Sequence, residues 1–70
     1  MTITKQNRAD FIGITVDCIR RLHHNYPLTI REREGQFYYV DRTGTWVVFN
    51  DDDVIYYDAV VSAERSLHEH

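Results

Sequence analysis

Seventy residues with a formal net charge of −3 and a single cysteine, Cys18, leave room for one small domain spanning 1–70, and they exclude an intramolecular disulfide or a CxxC zinc site. A domain of this size buries only about 60% of the surface its unfolded chain exposes, so a partner or a second copy is the natural supplement to its core. The start MTITKQNRADF lacks a basic, apolar and small-residue cleavage sequence, and no run of roughly eighteen apolar residues occurs. A soluble, cytoplasmic chain with no membrane contact is expected, with residues 1–7 and 68–70 fraying.

The charge is unevenly spread. Residues 1–33 carry six basic against three acidic side chains, and residues 34–70 carry two against eight. Such an asymmetry can orient a partner and says nothing about fold.

Residues 9–25 place Phe11, Ile12, Ile14, Val16, Cys18, Ile19, Leu22 and Tyr26 on one broad arc of a helical wheel. Ile12, Ile14, Val16 and Cys18 also alternate with Gly13, Thr15 and Asp17, as a strand would. The unbroken length, well beyond the mean strand of about 5–6 residues, argues for a helix that Pro27 ends.

Residues 28–50, LTIREREGQFYYVDRTGTWVVFN, read as a three-stranded antiparallel meander. DRTG suits a type I turn closed by a glycine bulge, and REGQ suits a tight turn with Gly35 at positive φ. These turns pair Tyr39 with Val47, Val40 with Trp46, Ile30 with Tyr39 and Arg31 with Tyr38. Alternation then sorts two faces: Leu28, Ile30, Phe37, Tyr39, Val47 and Phe49 on one, and Thr29, Arg31, Arg33, Tyr38, Val40, Trp46 and Val48 on the other.

The last segment, NDDDVIYYDAVVSAERSLHEH, begins with capping residues and carries the helical stripes Val54-Tyr57-Val61 and Tyr56-Val60-Ala63-Leu67. The expectation is therefore an α+β fold ordered helix, three-stranded meander, helix, with both helices on the Leu28, Ile30, Tyr39 and Phe49 face.

That arrangement leaves Tyr38, Val40, Trp46 and Val48 as an exposed patch of several hundred Å², as large as soluble monomers usually show. Arg31 and Arg33 flank it on what reads as an outer strand, where charge discourages stray edge pairing. Trp, Tyr and Arg dominate protein interfaces, so the expected function is a non-enzymatic protein-interaction module of accessory or regulatory kind, self-associating as a homodimer or binding a protein partner through this face. Single-stranded nucleic acid stacked on the aromatics is the weaker alternative for an acidic chain. A third is mimicry of nucleic acid by Asp51, Asp52, Asp53, Asp58 and Glu64 along the second helix.

No catalytic, cofactor or metal site is expected. His23-His24 point about 100° apart on a helix, and His68 and His70 sit at a terminus. Cys18 in an apolar arc would be an inert thiol. The Asp51-Asp52-Asp53 run lacks calcium-loop spacing, and the chain is too short to enclose a catalytic pocket.

Overall fold

In the computed structural model, which describes residues 1–19 and 25–64, the expected helices are replaced by strands. The strands are β1 (Thr2–Ile3), β2 (Ile14–Cys18), β3 (Tyr26–Arg33), β4 (Gln36–Asp41), β5 (Trp46–Val48) and β6 (Ile55–Ala63). They form one antiparallel sheet in the order β1-β6-β2-β3-β4-β5, curled into a half-barrel. The α+β expectation is thus corrected: the chain is all-β, and the described residues hold no α-helix, only a 3-10 turn at Arg8–Phe11.

The first correction has a local cause. Gly13 takes φ +79°, a left-handed conformation that breaks the segment 9–25. Its N–H donates to the Ile30 carbonyl at 2.8 Å, and its own carbonyl accepts from the Glu64 N–H at 2.9 Å. Beyond it the period-2 alternation governs: Ile14, Val16 and Cys18 are buried, with Thr15 and Asp17 on the opposite face. Leu22, also on the expected helical arc, lies outside the described residues.

The second correction concerns residues 50–63. The acidic run that reads as a helix cap is a turn, in which the Asn50 N–H donates to Asp53 Oδ2 at 2.9 Å and the Asp53 N–H donates to the Asn50 carbonyl at 3.0 Å. The nine-residue β6 follows, rich in aromatic and β-branched side chains that favour a pleated surface.

The meander folds as its turns dictate. β4 pairs β5 with Val40 opposite Trp46, Tyr39 opposite Val47 and Tyr38 opposite Val48; β3 pairs β4 with Ile30 opposite Tyr39 and Arg31 opposite Tyr38. Gly35 is at φ +84°, and the Gly44 N–H donates to the Asp41 carbonyl at 3.0 Å.

Curling lets one sheet cover itself. The concave side holds the buried core of Ile3, Ile14, Val16, Cys18, Leu28, Ile30, Phe49, Ile55 and Tyr57, so the expected core face is completed by strands where helices were anticipated. Residues 1–7, expected to fray, carry β1 and the fully buried Ile3. The 3-10 turn straps the open side. There Phe11 meets Tyr57 edge-on at 5.6 Å. The Arg8 guanidinium lies 4.6 Å from the Phe37 ring and 5.4 Å from that of Phe49, donates to the Phe49 carbonyl at 2.8 Å, and pairs with Asp51 at 3.0 Å.

Candidate functional site: the convex sheet face

A curled sheet has an outside, and its pleat decides which residues stand there. Ladder register puts Thr15, Thr29, Val40 and Trp46 in one row across β2, β3, β4 and β5, with Arg31, Tyr38 and Val48 in the next. All six residues singled out from the sequence, Arg31, Arg33, Tyr38, Val40, Trp46 and Val48, therefore share the convex face, away from the buried core.

Trp46 and Val48 are each 40% exposed, while Tyr38 and Val40 are half-buried by their neighbours. The indole meets the Tyr38 ring edge-on, with centroids 5.3 Å apart, and the Arg33 guanidinium lies 4.3 Å from the indole centroid. Arg33 comes from β3 and Trp46 from β5, so this contact spans β4 and ties the indole to the middle of the sheet. The outcome is a pre-ordered aromatic and aliphatic surface, with little side-chain freedom left to lose on binding.

Arg31 is differently placed. Its guanidinium donates to both carboxylate oxygens of Glu64, at 2.8 and 3.0 Å. That hydrogen-bonded pair holds the Glu64 carboxyl below its usual range and raises Arg31 further. Glu64 is a partner the sequence did not reveal, because only the β6–β2 pairing brings it beside β3. The outer-strand reading of Arg31 and Arg33 is also corrected, since β3 lies between β2 and β4 and the sheet edges are β1 and β5.

Elsewhere on the convex side, Thr15 and Thr29 share a hydroxyl hydrogen bond of 2.6 Å between β2 and β3. On the concave side Val47, expected in the core, is 41% exposed and lines an open concavity of about 340 Å³ with Tyr26, Leu28, Tyr39, Asp41 and Thr45. Asp41 Oδ1 accepts from the Thr43 hydroxyl at 2.6 Å and from the Thr43 and Thr45 N–H groups. These bonds, the hydroxyl's first, lower its pKa and account for the carboxylate as the lock of the β4–β5 turn.

The acidic residues considered as a mimic are scattered by the loss of the helix. Asp51 pairs with Lys5 and Arg8, Asp53 closes its turn, Asp58 accepts from Asn25 Nδ2 at 2.8 Å, and Glu64 holds Arg31. His23, His24, His68 and His70 lie outside the described residues. Among the described residues no three His, Cys, Asp or Glu side chains converge as a metal site, and no helix is long and apolar enough to cross a membrane. Comparison with protein families, with curated proteins and with solved structures returned no match.

Proposed function

We propose that this chain is a small, non-enzymatic, cytoplasmic protein-interaction module of accessory or regulatory kind, and that its convex face binds a protein partner. The observation that carries the reading is the ordered, half-exposed cluster of Tyr38, Val40, Trp46 and Val48 with Arg33 stacked on the indole. An aromatic anchor with an arginine beside it and a polar rim is the composition of a protein-binding hot spot. A lone cysteine buried in the core suits a reducing compartment. The curl also bears on the choice of partner, because two convex surfaces touch over little area. A concave or adaptable surface on another protein suits this face better than the same face of a second copy.

Stacked nucleic acid is the competing use of such aromatics, and the Arg31–Glu64 pair argues against it. A guanidinium held by both oxygens of a carboxylate is not available to phosphate, and the chain is acidic overall. Trp46 is the sole tryptophan, so its emission reports this face directly. Titration with single-stranded oligonucleotides near physiological salt is expected to leave that emission unchanged. Saturable quenching that weakens steeply with salt and disappears in Tyr38→Ala would replace the protein-binding reading with base stacking.

A further inference from the structure

We infer that the partner of the convex face is an acidic protein segment, one that sets a carboxylate on the Arg33 guanidinium while apolar side chains pack on Trp46 and Val48. This rests on the docking role proposed above and adds the chemistry the partner must bring. The ladder puts Arg33 opposite Gln36, beyond the row of Arg31, Tyr38 and Val48, while Trp46 stands in the row on the other side of it. Yet the guanidinium lies 4.3 Å from the indole centroid, so the two side chains meet across the Tyr38 row. The cation therefore sits within the apolar cluster and not at its rim.

Arg8 and Arg31 each lie against a carboxylate, Asp51 and Glu64. Arg33 does not: among the described residues no carboxylate comes within ion-pair distance of it, and no oxygen accepts from its N–H groups. The nearby acids are committed elsewhere. Glu32 alternates to the concave side, opposite Phe37, and accepts from the Gly35 N–H at 2.7 Å. Asp17 and Asp58 lie on β2 and β6, where both accept from Asn25 Nδ2, at 3.3 and 2.8 Å. A partner that covers Trp46 covers this guanidinium too, and a buried cation left without an anion is strongly unfavourable. The indole face attracts the cation but leaves its N–H fork without acceptors. A carboxylate matches that fork with two parallel hydrogen bonds, and the stack has already restricted the side chain before the pair forms. Nucleic acid is the poorer occupant, because backbone binding draws on several cations at once and the neighbouring Arg31 is already held by Glu64.

Short random peptides displayed on phage are selected on the full chain and counter-selected on Trp46→Ala. The expected result is a set of Trp46-dependent peptides that share an Asp or Glu beside apolar residues. Synthesised and titrated against Trp46 emission, such a peptide should bind Arg33→Gln at least about thirtyfold more weakly, with Arg33→Lys between. Changing the peptide's acid to its amide should cost as much on the wild-type chain and little further on Arg33→Gln, because both changes remove the same pair. Trp46-dependent peptides without a shared acid, or affinities that Arg33→Gln leaves within about threefold, would overturn the inference and leave the docking face standing. If no selected peptide depends on Trp46, the docking reading falls and this inference falls with it. An oligonucleotide whose binding Arg33→Gln abolishes would assign the guanidinium to phosphate and overturn the inference as well.

Discussion

Arg8 straps the open side of the half-barrel, and Arg8→Ala measures what that strap contributes. Its hydrogen bond to the Phe49 carbonyl is 2.8 Å long and charge-assisted, a class that contributes about 1.5–3 kcal/mol. The guanidinium also faces the Phe37 and Phe49 rings at 4.6 and 5.4 Å, which adds about 0.5–1 kcal/mol for a partly exposed cation. Asp51 is 63% exposed and adds little. These effects overlap, so the expected loss is about 2–3 kcal/mol. Against about 3.5–10 kcal/mol for a domain of this length, that is a large fraction. With a urea slope of about 1 kcal/mol/M, the unfolding midpoint should fall by about 2–3 M. Arg8→Lys, which keeps charge but not the planar fork, should fall between. A loss below about 0.5 kcal/mol in Arg8→Ala would show that the strap is ornamental and that the sheet's curl holds without it.

Glu34 has φ +55° in the β3–β4 turn, beside Gly35 at +84°, so Glu34→Asn should stabilise the protein by about 0.5–1 kcal/mol, read as a rise of a few degrees in thermal midpoint. Acid stability should follow Glu64 and Asp41, whose pKa values lie below their ordinary 4.5 and 3.8. A carboxylate depressed by folding stabilises fully above its ordinary pKa, and that contribution is lost as pH falls through the lowered value. The urea midpoint should therefore be insensitive to these two groups down to about pH 4.5 and decline below it, with Glu64→Gln removing part of the decline. A midpoint that declines equally in Glu64→Gln would separate the Arg31 pair from acid unfolding.

The meander was legible because its turns are local: Asp41 and Gly44 fix one register, Gly35 the other, and alternation then assigns both faces of β3, β4 and β5. The flanking segments misled for two physical reasons. In 9–25 the long apolar run imitates a helix, while Gly13 at φ +79° breaks it. In β6 the bulges interrupt the two-residue repeat. The ladder sets Tyr57 against Cys18, Val60 against Val16 and Ala63 against Ile14, and steps of three along the chain imitate a helical stripe. The patch of Tyr38, Val40, Trp46 and Val48 needed only the meander, so the candidate face could be read although its surroundings could not. Glu64 and the Arg8 strap depend on which strands lie side by side, which no local signal encodes.

The central claim is that Trp46 marks a protein-docking face, and photo-cross-linking tests it most directly. A benzophenone side chain at position 46, in the full chain expressed in its native cell, is compared with the same group at the exposed Asp52 beyond that face. The account predicts a discrete, nuclease-resistant protein adduct from position 46, absent from position 52 and lost when Val48→Glu is added beside it. Adducts that nuclease removes, or equal yields from both positions, would contradict it.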